Sequence, residues 1–271
     1  MITGNIGQAL LLSLMAGGAT GIGSAIAFFA KKTNAKFLSL ALGLSAGVMI
    51  YISFMELLFN SRQGLEIITG SARQGNLIAA LAFFGGIFLA GLIDRFIPEA
   101  ENPHGLHSVE EIGGVPNPDH THRLKRMGMV TALAIAVHNF PEGIATFVSA
   151  LDSAKVGVAV AAAVAIHNIP EGIAVSVPIY FSTGSRKKAF WYSFVSGLAE
   201  PVGALFAYLL LMPFLTPIVM ECTFAVVAGI MVYISLDELL PAAHQYGHSH
   251  LAIYGLVAGM AVMALSLILL G

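Results

Sequence analysis

The sequence predicts an all-α integral membrane protein with eight spanning helices and an inverted repeat. Three observations carry that prediction. Of 271 residues, 57% are hydrophobic and only 10% are charged, where a soluble domain carries about a quarter charged. Apolar stretches long enough to cross a bilayer, about 20 residues each, recur along the whole chain. Two distant stretches also share a pattern. Gly47–Leu58 reads GVMIYISFMELL, and Gly229–Leu240 reads GIMVYISLDELL, with eight of twelve positions identical.

The first span covers about 6–30. No basic segment precedes it and Lys31-Lys32 follow it, which predicts a retained helix and not a cleaved signal. The second span, about 37–59, carries the first matched segment. The third, about 75–97, ends at Asp94-Arg95. A polar loop at about 98–126, rich in Pro, Gly, His and acid, then interrupts the pattern, and its length predicts mobility. The fourth and fifth spans, about 127–150 and 155–180, each hold one copy of a six-residue motif. The sixth, about 188–211, has Glu200-Pro201 near its middle. The seventh, about 214–240, carries the second matched segment, and the eighth covers about 250–270. All eight belong to one transmembrane domain over 1–271. Twenty-nine glycines suit close helix packing in lipid, where small residues let backbones approach.

Helices two and seven are an odd number apart and must cross in opposite directions. Helices four and five are antiparallel for the same reason. Both relations fit an inverted repeat of helices 1–3 and 6–8 about an axis in the membrane plane, with the site at helices 4 and 5. Basic residues prefer cytoplasmic connections. Ten of the 13 fall in odd-numbered ones: Lys31, Lys32, Lys36, Arg95, Arg123, Lys125, Arg126, Arg186, Lys187 and Lys188. Only Arg62, Arg73 and Lys155 fall in even-numbered ones. Both termini are therefore expected outside and the long loop inside. The net charge of −2 gives no footing for nucleic acid. The single cysteine, Cys222, excludes an internal disulfide framework.

The repeated motif carries the chemistry. His138-Asn-Phe-Pro-Glu-Gly143 recurs as His167-Asn-Ile-Pro-Glu-Gly172. Ionisable groups inside a membrane are costly and mark function. On a helix, His138 and Glu142 share one face about 6 Å apart along the axis, as do His167 and Glu171. Pro141 and Pro170 each remove a backbone hydrogen bond and bend the helix, freeing the carbonyls of Val137 and Ile166. Asn139 and Asn168 add neutral oxygens, and Glu200 is a third buried carboxylate beside a helix breaker. Imidazole with carboxylate suits zinc or iron(II) better than magnesium or calcium, which take all-oxygen shells. A di-metal enzyme activating water is the rival reading. It is disfavoured because HExxH is absent and no nucleophile or base stands apart from the ligands. A membrane metal sensor would need an output domain, which the chain lacks.

HNFPEGIATF, AIHNIPEGIAV and SGLAEP resemble the ZIP (Zrt/Irt-like) metal transporter family, and the eight-span plan covers the whole chain. The resemblance implies a transporter and not an enzyme. Divalent metal, zinc first and iron(II) or manganese after it, would be its substrate, moved into the cytoplasm with no organic cofactor. It implies a binuclear centre. One ion would take His138, Glu142, His167 and Glu171. The other would take Asn139, Asn168 and Glu200, with Glu142 and Glu171 bridging. His167 and Asn168 depart from many relatives, which have an acid or Gln in the fifth helix. Asp237, Glu238 and His244 resemble the family's exit-path residues. His104, His107, His120 and His122 resemble its metal-capturing loops. The implied setting is the cell's inner membrane, with lipid and divalent ions as partners and room for a homodimer.

Overall fold

The computed structural model describes residues 5–29, 35–95, 136–245 and 247–270. The described residues form eight long helices and no strand. We label them α1 (Ile6–Phe29), α2 (Ala35–Thr69), α3 (Ala72–Asp94), α4 (136–152), α5 (Ala154–Thr183), α6 (Arg186–Phe214), α7 (Pro217–His244) and α8 (Ser249–Leu270). Seven are long and apolar enough to cross a membrane, and α4, described from 136 onward, is the eighth. Together they make a multi-pass membrane protein. The loop histidines His104, His107, His120 and His122, the loop at 98–126 and the start of the fourth span lie outside the described residues.

The helix ends follow from local chemistry. Gly70 takes φ 68° and closes α2, and Ser71 caps α3 by accepting from Gln74 N. The α5–α6 turn uses the same device, with Gly184 at φ 62° and Ser185 accepting from Lys188 N. A left-handed residue after a helix favours Gly, and a Ser side chain satisfies the orphan donors that begin the next helix. At the start of α7, Thr216 accepts from Val219 N and Pro217 needs no donor.

One expectation changes. Helix α2 continues ten residues past its expected end at 59, to Thr69. Its polar tail is amphipathic, and buried Ser61 and Leu65 hold it against α3 and α7. Helices α4 and α5 continue as helix on both sides of Pro141 and Pro170. The carbonyls freed by the prolines thus sit inside continuous helix, and interior packing tolerates them there.

Pairing of helices sets the layout. α2 packs along α8, α3 along α7, and α1 along α5. In α4 and α6, Gly143 meets the Glu200 backbone and Gly203 meets the Phe140 backbone. The matched segments share a further feature. Each contains a π-helical turn at the same register, Ser53–Leu57 and Ser235–Leu239. Ser53 Oγ donates to Met49 O and Ser235 Oγ to Met231 O, both at 2.7 Å. Such π-turns tend to mark functional positions.

Candidate metal centre

The glycine that ends each motif fixes where the motif sits. A Cβ at Gly143 would collide with the Glu200 carbonyl, and one at Gly172 with the Thr20 carbonyl. The bare backbones therefore bring α4 onto α6 and α5 onto α1 at the level of the motifs. That contact carries Glu200 of α6 to Asn168 of α5. Ser193 Oγ reinforces the same level by donating to Gly172 O at 2.9 Å.

The two motifs meet in a crossed arrangement. His138 Nε2 lies 3.2 Å from Glu171 Oε1, and His167 Nε2 lies 3.0 Å from Glu142 Oε1. Each imidazole faces the carboxylate of the other helix, not the one four residues along its own. All four side chains are buried. Asn168 Nδ2 donates to Ala16 O at 2.8 Å and also to Glu200 Oε1. Asn139 Nδ2 donates to Ser196 O at 3.3 Å. With both amide nitrogens engaged, both amide oxygens are left without a partner.

Unpartnered oxygens and nitrogens concentrate here. Among the described residues, buried side-chain atoms without a hydrogen bond include His138 Nδ1, Asn139 Oδ1, both Glu142 oxygens, His167 Nε2, Asn168 Oδ1, Glu171 Oε2 and Glu200 Oε2. Leaving a buried polar group unpaired costs about 1–3 kcal/mol, so eight in one place call for a common partner. His167 sharpens the point. Its Nδ1 lies 3.1 Å from Ala163 O, a carbonyl that can only accept. Nδ1 therefore carries the proton, and in the neutral ring Nε2 presents a lone pair. That lone pair faces Glu142 Oε1 at 3.0 Å without an aligned hydrogen bond. Two acceptors face to face repel, and either a second ring proton or a bound cation between them reverses that. A His whose far nitrogen donates to a backbone carbonyl is also the usual arrangement of a metal-ligating imidazole. Among the described residues, no three His, Cys, Asp or Glu side chains converge on one point at ligand distance; these donors stand as pairs.

The remaining expected residues divide. Glu238 is buried, and its Oε2 lies 3.7 Å from His138 Nδ1. It therefore belongs to the centre's edge, although its position near the end of a span suggested a place further along the path. It lies within the π-helical turn Ser235–Leu239. Asp237, its neighbour in that turn, is exposed. His244 is half-buried at the end of α7. Met55, which aligns with Asp237 in the matched segments, is 51% exposed. The role of Glu238 beside His138 was not legible from spacing, because an α-helical register does not foresee the extra residue of a π-turn.

The chain matches the family profile described as ZIP Zinc transporter over residues 4–267. It is 60% identical over 266 residues to zinc transporter ZupT of Oceanobacillus iheyensis, covering 98% of this chain and 99% of that one. It is 61% identical over 264 residues to zinc transporter ZupT of Chlorobium phaeovibrioides, covering 97% of each. It is 56% identical over 278 residues to zinc transporter ZupT of Clostridium perfringens, covering 98% of this chain and 96% of that one.

Proposed function

The chain belongs to the ZIP zinc transporter family, whose members are transporters and not enzymes, and on that premise we propose that it imports zinc into the cytoplasm through a binuclear intramembrane centre. One observation carries the reading: His167 Nε2 and Glu142 Oε1 face each other, buried and 3.0 Å apart, amid eight unpartnered donor atoms of the two motifs and Glu200, a set that a divalent cation would satisfy together. The first ion takes His138, Glu142, His167 and Glu171. The second takes the free oxygens of Asn139, Asn168 and Glu200, and Glu142 and Glu171 bridge the two. Zinc uptake into proteoliposomes holding the purified protein tests the reading. Uptake no faster than in empty vesicles would reject it.

Selectivity follows from the donor sets. The first site holds two imidazole nitrogens and favours zinc. The second is all oxygen and accepts manganese or iron(II) more readily. Replacing an imidazole by a carboxylate hardens the first site. His167→Asp is therefore expected to shift competitive uptake from zinc toward manganese by about tenfold. An unchanged ratio would remove His167 from the ligand set.

We also propose that helices 1–3 and 6–8 form an inverted repeat. The reciprocal pairs support it: exchanging two with seven and three with eight turns the α2–α8 pair into the α7–α3 pair. The two π-turns in register support it as well. Both termini lie outside, on the ten-to-three bias of basic residues. In a Cys222→Ser background, a cysteine replacing Asn5 should react with an impermeant thiol reagent added to intact cells, and one replacing Lys187 should not. The opposite pattern would invert the orientation.

A further inference from the structure

The face of α4 that carries His138 and Glu142 continues beyond the centre as a line of hydroxyls. At 100° per residue, positions 142, 146 and 149 fall within about 60° of one another. Those positions hold Glu142, Thr146 and Ser149, and all three are fully buried or nearly so. The hydroxyls depart from this chain's commoner pattern, as Thr20 Oγ1 and Ser61 Oγ also do. A Ser or Thr inside a helix normally donates to the carbonyl four residues back. Ser24, Ser53, Thr69, Thr183, Thr223 and Ser235 all do so here. Thr146 Oγ1 and Ser149 Oγ have no partner.

The line ends in carboxylates. Asp152, at the end of α4, is exposed. Glu221 of α7 is a second, half-buried carboxylate near this end. Glu221 fills the space that a side chain at Gly64 of α2 would take, and its Oε2 is itself unpartnered. At 1.5 Å per residue, Glu142 to Asp152 is about 15 Å. That is half of a hydrocarbon core about 30 Å thick. The line thus covers the distance from a centre at mid-membrane to one surface.

We propose that Thr146 and Ser149 line the route by which a partly dehydrated divalent cation travels between the surface at Asp152 and Glu221 and the centre at Glu142. The hydroxyls replace water one turn at a time as the ion sheds its shell, and they are neutral, so they pass the ion on and do not trap it. The inference rests on the import reading above, and the topology proposed with it places the Asp152 end outside.

Two measurements test it. In the first, Thr146→Val with Ser149→Ala should lower initial zinc uptake at least tenfold, while zinc affinity of the purified protein changes less than threefold. Thr146→Ser, which keeps the hydroxyl, should stay within twofold of the parent. In the second, cysteines replacing Thr146 or Ser149 in the Cys222→Ser background should react with a small cationic thiol reagent from outside, and zinc should slow the reaction. Uptake by the double variant within twofold of the parent would overturn the proposal. So would an affinity loss as large as the uptake loss, or cysteines that react only from inside or not at all. A parent that carries no zinc would overturn the import reading alone, and zinc-protected labelling would still report the route.

Discussion

Glu142→Ala and Glu171→Ala are each expected to cut zinc uptake below a tenth of the parent's at equal membrane abundance. Each carboxylate faces an imidazole of the other motif, Glu142 at 3.0 Å from His167 and Glu171 at 3.2 Å from His138. Both are buried. Removing one partner of a buried charged set costs about 3–5 kcal/mol, because the charge that remains is left uncompensated. At 1.4 kcal/mol per decade, that removes roughly a hundredfold or more of ion occupancy. Two ions share these carboxylates in the proposed centre, so one substitution weakens both sites. Uptake above a tenth of the parent's in both variants would contradict the shared-carboxylate centre.

The second large effect is steric. Gly143→Val places branched carbon where the Glu200 backbone carbonyl already lies. The obstacle is backbone, so no side chain can swing aside. α4 and α6 must part, and overpacking of this kind costs about 1–3 kcal/mol or more. The parting also draws Glu200 from Asn168, with which it shares a hydrogen bond. Uptake should be lost, and the purified protein should melt at lower temperature. Gly85→Ala is the control, since a Cβ there meets nothing within 4 Å. It should transport within twofold of the parent. A Gly143→Val protein that transports normally would show that α4 and α6 do not need this contact.

Much of this was legible before any coordinates. Spans appear as apolar length, so six of the seven helices described at both ends stop within a few residues of their expected bounds. The seventh, α2, overran because Leu58–Thr69 reads as polar surface by composition. Only packing of Ser61 and Leu65 against its neighbours makes that tail helical. The centre's residues were legible because His138, Glu142, His167, Glu171 and Glu200 are costly anywhere in hydrocarbon. Their pairing was not. Spacing stacks His138 on Glu142 along one helix, yet the close partner of each imidazole comes from the other helix. Pairing across helices depends on how near the backbones come, and the glycines at 143 and 172 set that distance. Glu238 was named as resembling an exit-path residue, and its place beside His138 was not legible because spacing does not foresee a π-turn at Ser235–Leu239.

X-ray absorption at the zinc edge, on purified protein loaded with zinc, tests the central claim most directly. The crossed pairs predict imidazole nitrogen and carboxylate oxygen as ligands, with no sulfur from Cys222 or the methionines. The imidazole signature should vanish in the His138→Ala, His167→Ala double variant. A spectrum with sulfur ligands, or one that the double variant leaves unchanged, would contradict the assignment of the centre.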